Sequence, residues 1–205
     1  MKRLLLTGFE PFLEFKVNPT EEIVKALHGK VIGDYEIFGK VLPVDFDQTA
    51  KQAIRYIDDV DPDVVIALGL AGGRMKITPE RVAINCADGA PDNNGFAQQD
   101  APIIQGGPTA YFSTLPIRSL IDELQEQGYP AQISNSAGTY LCNFVMYHIL
   151  HHINTNEKSI HAGFFHIPAS HELSILQTSL PSWSQNDLRH SIEIIIQTLS
   201  MGESK

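Results

Sequence analysis

Cysteine is scarce in this chain, with two in 205 residues. Two thiols cannot frame a disulfide-stapled domain, so Cys86 and Cys142 read as free thiols in a reducing compartment. Long apolar runs are lacking as well. The longest, VVIALGLAGG at 64–73, falls well short of the roughly 18 residues a membrane span needs. The opening MKRLLLTGFEPF has only three leucines before Thr7 and Gly8, too few for the apolar core of an export signal. A soluble, cytoplasmic protein with no membrane partner is expected. Positive charge is in deficit too, with 15 Lys and Arg against 24 Asp and Glu and a formal net charge of −9. No basic cluster exceeds a pair, which argues against nucleic acid and for a small molecule or peptide as the partner.

What the chain does have is enough apolar content, 43%, to build one core, and 1–205 reads as a single domain. Strand-like runs recur at RLLLT (3–7), YEIFGKVL (35–42), DVVIAL (63–68), RVAIN (81–85), AQIS (131–134) and IHAGFF (160–165). Helical spacing falls between and after them, at 19–29, 46–60, 116–128, 139–153 and 185–200. Strands alternating with helices predict an α/β fold, a three-layer α/β/α sandwich around a mostly parallel, mixed sheet. One stretch resists the pattern. Residues 86–110 hold four Gly and three Pro, a long loop expected to serve function or assembly.

In such sheets ligands gather at the carboxyl ends of parallel strands. Four junctions there are unusual: GFEPF after the first strand, GLAGGR after DVVIAL, NSAGTYLCN after AQIS, and HIP after IHAGFF. Cys142 falls in the first turn of a helix, where free N–H groups and the macrodipole favour a thiolate, although a lone cysteine is more often a packing residue. His166, stopped by Pro168, is the natural base for that thiol if the strands share one rim. A third group should orient the imidazole. Glu80 is a candidate, yet by position alone, after Thr78 and Pro79, it reads first as an exposed acid in a turn or helix start. His148 and His152 have the spacing of a metal pair, but no acid or cysteine supports them, so a solvated helix end is expected and no metal. GLAGGR lacks the spacing of a nucleotide loop.

Taken together, LLLTGFEPF with NPT, GLAGGRMKITPERVAIN, PTAYFSTLPI, SNSAGTYLCNFVMY and GFFHIP resemble the pyroglutamyl peptidase I family, in family order from residue 4 to residue 168. The resemblance implies a cysteine peptidase that removes N-terminal pyroglutamate from peptides, with Glu80, Cys142 and His166 as its catalytic residues. It also implies Phe9 and Phe12 as walls of the pyroglutamate pocket, no metal or organic cofactor, a cytosolic location and a homotetramer. Two departures stand out. Relatives commonly carry an ARIPDNEG-like segment where this chain reads DGAPDNNG, without the arginine, and Leu70 stands where some have glutamine. A cysteine amidase for another blocked amide and a non-catalytic peptide binder are the rival readings. Cys86 has no counterpart among the catalytic positions and reads as packing, or as a contact with another subunit.

Overall fold

The computed structural model describes residues 1–12 and 15–202. In chain order its elements are β1 (Lys2–Phe9), α1 (Pro19–Leu27), β2 (Val31–Ile32), β3 (Tyr35–Leu42), α2 (Thr49–Val60), β4 (Val64–Leu70), β5 (Thr78–Pro79), β6 (Val82–Ile84), β7 (Ala110–Phe112) and α3 (Ile117–Glu126). There follow α4 (Leu141–Thr155), β8 (His161–Ile167), β9 (Ala169–Ser170), α5 (His171–Leu176), β10 (Ser182–Trp183) and α6 (Gln185–Gly202).

The local chemistry of α1 is representative. Asn18 caps it by accepting from Thr20 N at 3.1 Å, Pro19 needs no donor in the first turn, and Glu21 and Glu22 meet the positive end of the dipole. Gly29, at φ 75°, follows the end of the helix. The same Asn18 sends its Nδ2 to Glu10 O at 3.0 Å, so the cap also fixes the chain leaving β1.

The main sheet runs β2-β3-β1-β4-β8-β5. Its four central strands are parallel, and β2 and β5 are antiparallel edges. Side chains alternate faces along each strand. Leu5, Val65, Ala67 and Phe164 pack with α2 and α4, while Leu4, Leu6, Val64, Ile66 and Phe165 pack with α1, α3 and α6. The result is the expected three-layer α/β/α sandwich. Leu4, Leu5 and Leu6 are fully buried, each contributing about 1.5–3 kcal/mol relative to exposure.

Two expected strands turn out differently. The RVAIN run supplies β6, which leaves the main sheet and pairs with β7 in a separate two-stranded ribbon. AQIS forms only isolated bridges, Ile77 with Ala131 and Glu80 with Ser134. Both bridges are parallel to the β5 segment, which runs against β8, so 131–134 does not join the parallel rim. Pro79 has no N–H to donate, and the pairing cannot become a continuous ladder. The segment 135–140 therefore has to carry the chain to α4.

Residues 86–109 contain neither helix nor strand, yet they are tied down. Ala87 and Ala101 form an antiparallel bridge, and the buried Asp92 carboxylate accepts from Phe46 N at 3.0 Å, Asn94 N at 2.9 Å and Phe96 N at 3.0 Å.

Candidate active site

Tyr140 is extended and offers no side-chain cap to α4, which leaves the first-turn N–H groups of that helix available. Cys142 is the second residue of the helix, and its position depends on Gly69 in β4. A Cβ at 69 would stand 2.9 Å from Cys142 Sγ and 2.6 Å from Phe164 Cζ, so only glycine lets the thiol lie against the sheet. Gly69 is the register partner of His166. Cys142 and His166 thus meet on one face, where β4 and β8 are hydrogen-bonded neighbours. The helix is locked beside them by Asn143, fully buried, which accepts from Ile84 N at 2.9 Å and donates to Ile84 O at 2.9 Å and Cys86 O at 3.0 Å.

His166 lies within β8 rather than after it, on the same face as Phe164, and is 5% exposed. Its Nδ1 is 2.7 Å from Glu80 Oε1. Glu80 follows β5 directly, and its N–H donates to Phe164 O at 2.8 Å. That pairing places its carboxylate diagonally across from His166. Glu80 is 0% exposed, so the exposed-turn reading of this acid is corrected: the edge pairing of β5 carries it inward.

The electrostatics follow from these contacts. Burial pulls the His166 pKa down, but the charge and hydrogen bond of Cys142 and then those of Glu80 overcome it and raise it to about 9. Burial likewise pushes Glu80 up, and the His166 contact, with smaller help from Ser134 and Arg74, brings it below the usual carboxylate range. At neutral pH the geometry holds an imidazolium between a carboxylate and a sulfur.

Cys142 and His166 line a cavity of about 340 Å³. Phe9, Phe12, Val44 and Leu70 form apolar walls, with Asn18 contributing an amide. Phe12 is braced edge-on by Phe15, ring centroids 5.1 Å apart. Asp88 and Gly89 line the same cavity, and Asp88 is bound through its backbone to Thr139, N–H to O at 2.9 Å and O from Oγ1 at 2.9 Å.

The other histidines part ways. His148 packs on Phe144, ring centroids 4.6 Å apart; His151 Nδ1 meets Tyr111 OH at 2.8 Å; His152 Nε2 meets Asp58 Oδ1 at 3.1 Å. The solvated helix end expected for His151 and His152 is thus replaced by specific partners, because β7 and α2 flank it. Among the described residues no group of three or more His, Cys, Asp or Glu is arranged to hold a metal ion, and no helix is long and apolar enough to cross a membrane.

Residues 2–201 match the pyroglutamyl peptidase family. The chain belongs to that family. A pyrrolidone-carboxylate peptidase of Oceanobacillus iheyensis is 52% identical over 199 residues, spanning 97% of this chain and 100% of the relative. One from Pyrococcus furiosus is 50% identical over 81% of this chain and 80% of its own. Among solved structures, the pyrrolidone carboxyl peptidase from Thermococcus litoralis superposes with a TM-score of 0.94 at 38% identity, covering 100% of this chain and 97% of that one.

In this member of the pyroglutamyl peptidase family, the structure brings together all five residues singled out from sequence: Glu80 touches His166, and Phe9, Phe12, Cys142 and His166 share one cavity. Sequence reasoning missed Arg74, whose Nη1 donates to Glu80 Oε1 at 2.6 Å, and Asn143. Each lies within six residues of a candidate, Arg74 in the GLAGGR junction and Asn143 beside Cys142. Cys86 is a half-buried free thiol whose carbonyl is bound by Asn143.

Proposed function

We propose that this chain, acting as one catalytic domain over 1–205, hydrolyses the amide bond after an N-terminal pyroglutamyl residue of peptides and releases free pyroglutamate. The observation that carries the reading is the buried Glu80–His166 contact of 2.7 Å, set beside Cys142 at the wall of an apolar cavity.

Pyroglutamate is a neutral five-membered lactam. Phe9, Phe12, Val44 and Leu70 suit its ring, while an unblocked N-terminal glutamate would bring an ammonium into apolar surroundings at a substantial desolvation cost. Cys142 thiolate attacks the carbonyl joining pyroglutamate to the next residue, and the tetrahedral oxyanion takes hydrogen bonds from first-turn N–H groups of α4, that of Cys142 first. As the C–N bond breaks, His166 gives its proton to the departing amine. His166 then takes a proton from water, whose oxygen attacks the pyroglutamyl thioester; the C–S bond breaks, and thiolate and imidazolium are restored. Glu80 holds the ring by Nδ1 and stabilises its positive form. No step calls on a metal or organic cofactor. The missing arginine of DGAPDNNG leaves oxyanion stabilisation to backbone donors.

The same reading includes a cytoplasmic location and a homotetramer, for which sedimentation would give the mass directly. Activity is tested by release of a fluorescent amine from a pyroglutamyl amide, with glutamyl and prolyl amides as controls. Turnover of the pyroglutamyl amide alone, lost by about 10⁴-fold or more in Cys142→Ala and Cys142→Ser, is the expected result. A folded, reduced wild-type protein without turnover would overturn it.

A further inference from the structure

One cation touches the proposed machinery without a task in it. Arg74 Nη1 donates to Glu80 Oε1 at 2.6 Å, the same oxygen that faces His166 Nδ1 at 2.7 Å. The other oxygen, Oε2, is buried and has no hydrogen-bond partner among the described residues. The two cationic partners of this fully buried carboxylate, an imidazolium and a guanidinium, therefore share one oxygen, with Ser134 adding a further contribution.

Arg74 reaches further than Glu80. Its Nη1 also donates to Thr78 Oγ1, and its Nη2 to Ser136 O at 3.3 Å. Thr78 is the register partner of His166 and donates its hydroxyl to His166 O at 3.3 Å. Ser136 sits in the segment 135–140 that carries the chain to Cys142. The backbone of Arg74 is itself fixed by a turn, N–H to Ala71 O at 2.9 Å, while Ala71 N donates to Ile167 O at 2.9 Å. A planar fork of donors is suited to bridging three segments in this way, and a lysine has only a point charge to offer.

We propose that Arg74 is a positioning residue of this reaction, holding Glu80 against His166 and tying both to the segment that delivers Cys142. The proposal rests on the assignment of Cys142, His166 and Glu80 given above. The groups acting on Glu80 are His166 from β8, Arg74 from the β4–β5 loop and Ser134 from 131–134, with Cys142 of α4 beyond the imidazole. Burial favours the neutral acid, and without the guanidinium it is opposed less strongly. A neutral Glu80 orients the ring and steadies its charge poorly, so activity should fail first on the acid side.

Arg74→Gln and Arg74→Lys are compared with wild type in pH profiles of pyroglutamyl amide hydrolysis. For Arg74→Gln the expected result is a kcat lower by about 10- to 100-fold, as for misplaced catalytic groups, with KM within about threefold. The acid limb of kcat/KM should move up by about half a pH unit or more, and Arg74→Lys should restore part of both. Alkylation of Cys142 by iodoacetamide, read by mass spectrometry to separate it from Cys86, needs no substrate. Its rate at pH 6 should fall about two- to threefold in Arg74→Gln, the size that a half-unit shift of the acid limb allows. An acid limb and an alkylation rate that coincide with wild type would overturn the proposal, as would an equal loss at every pH without rescue by lysine. A wild type that alkylates readily but turns over no pyroglutamyl amide would sink the assigned reaction instead, while the alkylation comparison would still decide whether Arg74 positions the triad.

Discussion

Two positions along α4, its first turn and its middle, set a histidine in opposite surroundings. At the N-terminal end, Cys142 meets His166, whose pKa stands at about 9. At mid-helix, His148 packs against Phe144, and burial, helped by the charge of His151, drives its pKa down to about 4. Burial acts in the same direction on both. The difference is the partner, because His166 has an acid on one nitrogen and a sulfur on its other side, whereas His148 has an aromatic ring and another histidine. A buried imidazole becomes a reagent only where the fold supplies anionic neighbours.

Removing the acid tests that contrast most severely. Glu80→Gln keeps the volume but not the charge, and its amide can present a donor to Nδ1. Activity should fall by about 10²- to 10⁴-fold, as when the acid of a related triad is made an amide, with little change in KM. A loss under about tenfold would mean that Cys142 alone sustains the imidazolium. Next in size is the approach of the thiol to the sheet. Gly69→Ala places a methyl against Cys142 Sγ and Phe164, so the expected cost is about 1–3 kcal/mol of stability together with at least a tenfold drop in kcat/KM. Retention of full activity would show that α4 can shift without penalty.

How much of this contrast the sequence disclosed varies with the range of the forces involved. The span of α1 followed from local rules: the helical spacing at 19–29, with Glu21 and Glu22 near its start and Gly29 after its end, holds the helix Pro19–Leu27. The placing of Cys142 in a first turn and of His166 at the end of an apolar strand was legible for the same reason. Glu80 was not settled by its neighbours. Its burial comes from β5 pairing with β8, a contact across 86 residues of chain that leaves no periodic trace in a two-residue strand. The 131–134 segment misled because apolar alternation reports burial rather than direction, and Pro79 breaks the pairing that would have made it a strand. Likewise Asp92 has no local mark that sets it apart from other loop acids, yet it ties the 86–109 segment down through three backbone donors, and only the fold brings Phe46 to it.

The raised pKa of His166 sharpens the comparison through pH. His166 must be protonated to release the amine, so kcat/KM should decline above about pH 9, approaching tenfold per unit as the imidazolium is lost. An alkaline limb near pH 7 would remove the argument for a stabilised imidazolium. His148 should leave this limb where it is.

The smallest effect belongs to His148 itself, and it appears in stability rather than rate. Its folded pKa lies below the ordinary value of 6.5, so between about pH 6.5 and 4 the unfolded chain binds the proton more readily, and stability falls as the pH falls through that window. Glu80 acts on the same side: its folded pKa is depressed, so the stability it contributes is also lost as its carboxylate protonates in acid. The two separate by substitution. His148→Gln removes the imidazole and leaves Glu80 in place, so the fall in urea midpoint between pH 7 and pH 5 should be shallower than in wild type, while kcat/KM at pH 7 stays within about twofold. An unchanged slope would mean that His148 reaches water in the folded state. A large loss of activity would mean that the middle of α4 and its first turn are mechanically coupled, and the contrast between a reagent and a packed ring would no longer be one of partners alone.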